Sequence, residues 1–186
     1  TWMDTAEHDL RAEVAAYQQT HAAALALTQE TVTKDDLAAL NAALTAYDAL
    51  SVAAQERLAE TKAALIAVRA AITFTVTFDG NGGSQIAPGT AKYETPVAEP
   101  TEAPVREGYT FAGWYADAAC TEAYDFYAPV TGDLTLYAKW DANTYTVTFD
   151  AGEGTVSPEN QTVTFDQPYS ALPTPTRAGY DFAGWY

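Results

Sequence analysis

The chain falls into two parts with different hydrophobic periods, and the change occurs near Ala71. Before it, apolar residues recur every three or four positions, the spacing of one face of an α-helix. After it, apolar and polar residues alternate over short stretches, which is typical of half-buried β-strands. Residues 1–71 contain no Gly and no Pro, whereas residues 72–186 contain all 11 Gly and all 9 Pro. The pattern predicts an α+β protein with more than one domain.

Residues 1–71 predict three helices with short connections. Their apolar stripes comprise Leu10, Val14, Tyr17, His21 and Ala24, then Leu37, Leu40, Leu44 and Tyr47, and then Leu58, Thr61, Leu65, Val68 and Ile72. Thr33 and Ser51 precede the second and third stripes as expected N-caps, with Asp36 as the capping-box partner of Thr33. Because the connections are short and the many Ala permit close approach, we expect an antiparallel three-helix bundle.

Residues 72–186 contain an internal repeat with a period of 71 residues. Thr75–Asp79 recurs as Thr146–Asp150, and Gly108–Tyr115 recurs with one substitution as Gly179–Tyr186. Two blocks at one offset are a strong repeat signal. We therefore expect a helical domain over 1–71, a first repeat over 72–142 and a second repeat over 143–186. The second repeat lacks a counterpart of Ala116–Asp141, which predicts that it is incomplete and that the chain is a piece of a larger protein.

Each repeat is predicted to be a small β-rich domain. Phe74, Val76 and Phe78 alternate with Thr residues, and Leu134–Trp140 alternates in the same way, so both segments predict strands with one buried face. Asp79–Ser84 has the composition of a turn. A domain of about 70 residues buries little surface, so large aromatic side chains are needed to fill its thin core.

These blocks closely resemble the Listeria–Bacteroides repeat, the module known as the internalin B repeat. The matching segments are Val76–Gly83, Arg106–Tyr115, Ala123–Phe126 and Leu134–Trp140, with Val147–Asp150 and Arg177–Tyr186 in the second copy. The resemblance implies a β-grasp-like, ubiquitin-like fold in tandem modules of a secreted or wall-attached bacterial protein, without enzymatic activity. Leu25–Asp36 and Ala46–Ser51 are similar, more loosely, to the Ala-rich helical spacers of Gram-positive surface proteins.

Charge and composition narrow the functional classes. Asp and Glu number 25 against 9 Lys and Arg, for a net charge of −16. That balance argues against nucleic acid and anionic membranes as partners, since both require basic patches. No run of 18 apolar residues is present, which predicts no membrane insertion, and the polar first ten residues do not read as a signal peptide. One Cys and two His rule out a disulfide framework and zinc sites of the Cys₄ or Cys₂His₂ type within one chain.

The aromatic residues of the repeats allow two interpretations. They can form a surface on which sugars stack, or they can fill the core. We favour the core, because a small β domain needs large aromatic side chains to fill it. The residues concerned are Phe111, Trp114 and Tyr115 with their counterparts Phe182, Trp185 and Tyr186. Tyr124, Tyr127 and Tyr137 occur in the first copy only and are the better candidates for exposed aromatics.

Asp79–Gly83 faintly resembles the beginning of a calcium loop. A full loop needs a bidentate Glu at its twelfth position, where this chain has Thr90, and the second copy keeps only Asp150 in register. We therefore expect a glycine-rich hairpin or bulge and no metal or cofactor.

Few residues suggest catalysis. Cys120 has no neighbouring base in the sequence and is expected to be a small buried hydrophobe. His8 and His21 fall on the first predicted helix, and neither can be paired with a plausible nucleophile. His21 lies on the apolar stripe of that helix. The 25 acids form no recognisable glycosidase pair. Lys92 or Lys139 could join an Asn in an isopeptide bond, but Lys139 is expected to face outward.

The sequence therefore predicts a non-catalytic spacer of a bacterial surface or secreted protein, located outside the cell, whose partners are neighbouring domains. Short linkers favour a semi-rigid rod, and Phe78, Trp114 and Trp140 would matter only for folding. Two alternatives stay open. One is an adhesin-type module that binds a host glycan or host receptor, and the other is an accessory region of a large extracellular enzyme.

Overall fold

A computed structural model describes residues 2–186, with side chains from Thr5 onward. Helices occupy the first part of the described chain and strands the second, which confirms the α+β prediction. The helical elements are α1 Trp2–Thr20, α2 Ala22–Leu25, a 3₁₀ turn Lys34–Asp36, α3 Leu37–Asp48, α4 Val52–Arg57 and α5 Ala59–Ala71. The strands are β1 Thr73–Asp79, β2 Gly89–Lys92, β3 Tyr109–Tyr115, β4 Leu134–Ala142, β5 Thr144–Thr148 and β6 Asn160–Thr164.

Two of the three predicted helices are interrupted. His21 separates α1 from α2, and Leu58 separates α4 from α5, each with ψ near 15° instead of a helical value. The hydrogen bonds continue through both positions, since the Leu25 N–H donates to the His21 carbonyl and the Lys62 N–H to the Leu58 carbonyl, both at 3.0 Å. The interruptions are therefore local bends in a continuous helical path.

The predicted helix starts are confirmed. The Asp36 carboxylate accepts from the Thr33 backbone N–H at 2.8 Å and from the Thr33 hydroxyl at 2.9 Å, at the start of the 3₁₀ turn that leads into α3. The Ser51 hydroxyl accepts from the Ala54 N–H at 3.3 Å and caps α4. Both caps satisfy N–H groups that have no partner within the helix.

A buried cluster holds the helices together. Tyr17 of α1, Tyr47 of α3 and Leu58 form its centre. The Tyr17 hydroxyl donates to the Ala43 carbonyl at 3.1 Å, so its polar atom is satisfied inside the apolar cluster. Leu40 of α3 is fully buried as well.

The first repeat forms a four-stranded sheet with the strand order β2-β1-β4-β3. β1 pairs antiparallel with β2, and β3 pairs antiparallel with β4. In β1, Phe74, Val76 and Phe78 are buried while the alternating Thr residues are exposed, which confirms the predicted one-sided strand. In the second repeat β5 and β6 pair antiparallel as a two-stranded sheet.

The chain divides into two compact units whose boundary crosses the first repeat. The first unit comprises the chain up to Phe78 with Ala87–Thr101 and Tyr124–Leu136, and the second comprises Asp79–Ile86, Glu102–Ala123 and Tyr137–Tyr186. The domain limits at residues 71 and 142 follow the repeat pattern instead and stay a prediction. Over residues 2–186, no helix has the length and apolar character that crossing a bilayer requires.

Candidate functional site

The helical part joins the first repeat through a single residue. α5 ends at Ala71, β1 begins at Thr73, and Ile72 between them is completely buried. The Tyr93 N–H donates to the Ile72 carbonyl at 2.8 Å, and the Arg69 guanidinium lies 5.0 Å from the centre of the Tyr93 ring. The last turn of α5 and the segment after β2 are thus fastened to each other within the first unit.

Asp133 adds a second tie in the same unit. Its carboxylate pairs with the Lys34 ammonium at the start of the helical segment that contains α3, and it accepts from the Thr75 N–H of β1 at 3.0 Å. The hydrogen bond from Lys34, followed by the one from Thr75, lowers the pKa of the Asp133 carboxyl below its ordinary value, and the same pair raises the pKa of Lys34. One carboxylate therefore holds a helix start and a strand together.

A single residue also joins the two repeats. β4 ends at Ala142 and β5 begins at Thr144, so Asn143 is the whole linker. The Asn143 N–H donates to the Gly108 carbonyl at 2.9 Å, and the Asn143 carbonyl accepts from the Phe165 N–H at 2.8 Å. The Thr110 hydroxyl donates to the Asn143 side-chain oxygen at 2.7 Å. The linker is therefore hydrogen-bonded to both repeats by its main chain.

Aromatic packing closes this joint. The ring of Phe165 lies against the backbone of Gly108, where an added Cβ would come within 2.3 Å of the ring. Gly108 has φ +76°, which non-glycine residues rarely adopt. The Tyr109 ring meets Phe165 edge-on, and the Tyr109 hydroxyl donates to Asp166 at 3.3 Å. We call Gly108, Tyr109, Asn143 and Phe165 the repeat joint.

The aromatic pairs keep the same geometry in both repeats. Phe111 and Trp114 have ring centroids 5.4 Å apart at 65°, and Phe182 and Trp185 have centroids 5.4 Å apart at 64°. A cation–π pair recurs as well. The Arg106 guanidinium lies 3.9 Å from the centre of the Tyr109 ring, and the Arg177 guanidinium lies 4.0 Å from the centre of the Tyr180 ring. The repeat found in the sequence is thus a repeat of side-chain packing.

Burial separates the aromatic candidates. Trp114 is 4% exposed, so it belongs to the core and offers no face to a sugar. Tyr127 is 90% exposed, whereas Tyr124 and Tyr137 are half-buried. Among the three tyrosines expected at the surface, only Tyr127 is almost fully exposed to solvent. In the second repeat Trp185 is half-buried and Tyr186 is exposed.

The glycine-rich loops fold as turns in both copies. The Asp79 carboxylate accepts from the Asn81 N–H at 2.8 Å, and the Asp150 carboxylate accepts from the Gly152 N–H at 2.8 Å. These aspartates are used to shape their own turns. In the described residues no three His, Cys, Asp or Glu side chains come together as a possible metal site.

The remaining candidates lie in separate places. His8 is exposed beside Asp9 on α1, and His21 is half-buried at the bend, 5.0 Å from the Tyr17 ring. Cys120, expected to be buried, is only half-buried, with its sulfur 3.7 Å from the Ala138 carbonyl oxygen.

The two lysines weighed for an isopeptide bond lie at the surface of the first repeat. The Lys139 ammonium lies 4.7 Å over the Tyr115 ring, and Lys92 is exposed.

Sequence reasoning missed the residues that build the joints. Asp133 and Asn143 stand in polar, loop-like stretches, and their roles depend on Lys34 and Phe165, which are distant in the sequence. The one signal in the sequence is that the linkers are short. A linker of one residue must satisfy its backbone N–H and C=O groups with partners in the elements on either side.

Comparison with known proteins finds the repeat family in two segments of the chain. The family model described as the Listeria-Bacteroides repeat domain matches residues 74–139 and 145–186. A protein of Evansella cellulosilytica named "Putative Gly-rich membrane protein" is 42% identical over 118 residues, which is 61% of this chain and 13% of that protein.

Two further relatives match at similar identity. Another Evansella cellulosilytica protein, named "Putative membrane protein", is 40% identical over 119 residues, covering 61% of this chain and 17% of the relative. Internalin H of Listeria monocytogenes is 41% identical over 92 residues, covering 48% of this chain and 16% of the relative. The matched region is therefore a small part of much longer relatives.

Proposed function

The chain belongs to the Listeria-Bacteroides repeat family, and we propose that these residues form a non-catalytic spacer of a bacterial cell-surface or secreted protein. The spacer links other domains of the same polypeptide and holds them away from the cell. The observation that carries this proposal is the construction of its joints. Each passes from one element to the next through one residue, Ile72 or Asn143, that is hydrogen-bonded to the neighbouring structure. A spacer that must keep its reach needs such joints, because flexible linkers behave as random coils.

Two finer structural features belong to the same proposal. The strand order β2-β1-β4-β3 supports a β-grasp-like, ubiquitin-like fold for the repeat. The helical path before it supports a three-helix spacer domain, since α1 and α2, then α3, then α4 and α5 form three successive segments.

The names of the relatives support the proposed location. Relatives carry the names of an internalin and of membrane proteins, which supports a cell-surface or extracellular place for this chain. The net charge of −16 keeps neighbouring copies apart by mutual repulsion. We expect no catalysis by these residues, and turnover of glycoside or peptide substrates by the purified chain would overturn that part.

Joint stiffness can be measured by single-molecule energy transfer. Donor and acceptor dyes are placed on cysteines substituted at two exposed positions on either side of Asn143, Glu122 and Tyr169, after Cys120→Ser removes the native thiol. We expect a narrow distance distribution for the native chain and a broad one after insertion of six Gly and Ser residues behind Asn143. Equally broad distributions in both proteins would contradict the spacer proposal.

A second candidate function is supported by exposed aromatic rings. Tyr127, Tyr169 and Tyr180 are each more than half exposed, and such rings can bind a host glycan or host protein. A glycan array and host-cell binding test this adhesin-type role, with Tyr127→Ala and Tyr169→Ala as single variants. Saturable binding that a variant loses would favour the adhesin-type role. An accessory role in a large extracellular enzyme is the third candidate, because the matched region spans only 13–17% of the relatives.

A further inference from the structure

The chain enters and leaves the first repeat through two neighbouring strands. Helix α5 passes into β1 through Ile72, and β4 passes into β5 through Asn143. In the sheet order β2-β1-β4-β3, the strands β1 and β4 lie side by side at the centre and are hydrogen-bonded to each other. Tension along the polypeptide therefore reaches the repeat on β1 from one side and on β4 from the other.

Contacts near the two ends of this pair show that β1 and β4 run in the same direction. Near the strand starts, the Thr75 N–H of β1 donates at 3.0 Å to the carboxylate of Asp133, the residue directly before β4. Near the strand ends, the indole N–H of Trp140 in β4 donates at 2.9 Å to the carbonyl of Gly80, the residue directly after β1. The two starts lie together and the two ends lie together, so the pair is parallel.

The parallel arrangement determines how the pair responds to tension. The pull on β1 acts at its first residue, Thr73, and the pull on β4 acts at its last residue, Ala142. These two points lie at opposite ends of the pair, so the strands are pulled past each other along their length. All hydrogen bonds between the strands then carry the load at once. In an antiparallel pair that is pulled at adjacent ends, the bonds break one at a time.

The rest of the sheet supports the loaded pair. β2 flanks β1 and β3 flanks β4, so neither loaded strand can peel away as an edge strand. Val76 of β1 and Leu136 and Ala138 of β4 are completely buried, which keeps water away from one face of the pair. Hydrogen bonds are electrostatically stronger in such low-dielectric surroundings than in water.

Side chains add ties that the backbone ladder does not supply. Trp140 and Asp133 provide the two ties near the ends of the pair. The Asn81 side-chain amide donates to the Ala138 carbonyl of β4 at 3.1 Å and provides a third. The indole lies so close to the loop after β1 that a Cβ at Gly83 would come within 2.3 Å of it. These ties must break before the strands can slide.

We propose that the first repeat is a force-bearing element, in which β1 and β4 resist tension along the chain by shear. Its function is mechanical, because it keeps the polypeptide folded, and so keeps its length, when the two ends are pulled apart. That such tension arises at the cell rests on the spacer proposal, since a spacer carries the load that its outer domains receive. The resistance itself is a property of the fold and does not depend on that role.

Optical tweezers on the full chain test the direction of loading, with DNA handles on substituted cysteines after Cys120→Ser. One protein carries Thr73→Cys and Thr144→Cys, which loads β1 against β4 in shear. The other carries Thr73→Cys and Lys92→Cys, which pulls apart two directly paired residues of the antiparallel strands β1 and β2. All three handle positions are exposed. We expect a severalfold higher unfolding force in the shear direction, because forced unfolding is governed by the unfolding rate and a shared load slows it.

Variants pulled in the shear direction test the strand pair. Trp140→Phe and Asp133→Ala each remove one tie between β1 and β4, and each should lower the unfolding force. Thr95→Val is the matched control, since the Thr95 hydroxyl donates to the Lys92 carbonyl at 2.8 Å, outside the β1–β4 pair. It should leave the unfolding force unchanged. Circular dichroism before pulling confirms that each variant is folded.

Equal unfolding forces in the two loading directions would overturn the proposal. It is also overturned if Trp140→Phe and Asp133→Ala weaken the chain no more than Thr95→Val does, because the resistance then arises outside the β1–β4 pair. Broad distance distributions in the energy-transfer experiment would contradict the spacer and leave a high force in the shear direction unaffected. The two proposals can therefore fail separately.

Discussion

The ring of Phe165 in the second repeat stands edge-on to the ring of Tyr109 in the first, with centroids 5.5 Å apart and planes at 78°. Gly108 makes this approach possible, because its backbone conformation and its missing Cβ leave room for the Phe165 ring. Arg106 covers the Tyr109 ring from 3.9 Å. The two repeats are therefore joined by packed side chains as well as by a peptide linker.

The first prediction concerns Gly108. Gly108→Ala should lower the free energy of unfolding by about 2–4 kcal/mol, because it adds an unfavourable φ and a clash with Phe165. Gly179→Ala is the matched control, since Gly179 has φ +82° with nothing within 4 Å of an added Cβ. Its cost should stay near 1 kcal/mol, the backbone part alone. Urea unfolding measures both, and equal losses would argue against close packing at the repeat joint.

The second prediction compares two equivalent tryptophans. Trp114→Ala should cost about 3–5 kcal/mol, because the side chain is buried and its removal leaves a cavity. Trp185→Ala should cost about 1–2 kcal/mol, since Trp185 is only half-buried. Unfolding followed by far-ultraviolet circular dichroism gives both values. A larger loss for Trp185 than for Trp114 would contradict the assignment of Trp114 to the core.

The third prediction concerns acid. The pKa of Asp133 is lowered in the folded protein, so its stabilising contribution is complete above the ordinary carboxyl pKa near 4 and is lost as the pH falls through the lower folded value. Asp133→Asn should reduce stability at pH 7 and make the loss between pH 5 and pH 2 shallower.

Protonation of other carboxylates will still destabilise the Asp133→Asn variant at low pH. Hydrogen bonds lower the pKa values of Glu7, Glu13 and Asp117 as well. Thermal melts across this pH range for the native chain, Asp133→Asn and Lys34→Gln provide the comparison. Identical pH profiles for the native chain and Asp133→Asn would show that the tie to Lys34 and Thr75 adds nothing.

The fourth prediction concerns the linker side chain. Asn143→Ala removes the acceptor of the Thr110 hydroxyl and should cost about 0.5–1.5 kcal/mol, the usual net value of one hydrogen bond. Thr110→Val should cost a similar amount, and the double variant should lose little more than either single one. Additive losses would mean that the two side chains act independently.

Local patterns predicted the individual elements well. The alternation of Phe74, Val76 and Phe78 with threonines placed β1 and its buried face, and Thr33 and Ser51 marked helix starts, because each signal lies within a few residues of its effect. The bends at His21 and Leu58 were not predictable in this way, since helical hydrogen bonds continue through them and no Gly or Pro marks them.

The joints were less predictable because their partners are far apart in the sequence. Nothing near Asn143 indicates that Phe165 and Gly108 will meet it, and nothing near Asp133 indicates Lys34.

The position of the joint residues within the repeat has a genetic consequence. Gly179 and Tyr180 stand where Gly108 and Tyr109 stand, whereas Asn143 and Phe165 correspond to Ile72 and Glu94 in the first repeat. Both copies therefore carry the glycine and tyrosine of the repeat joint, and only the second carries the asparagine and phenylalanine. Duplication of a 71-residue segment that contains Asn143 and Phe165 would therefore add a module together with the residues that fasten it, whereas duplication of the first repeat alone would not.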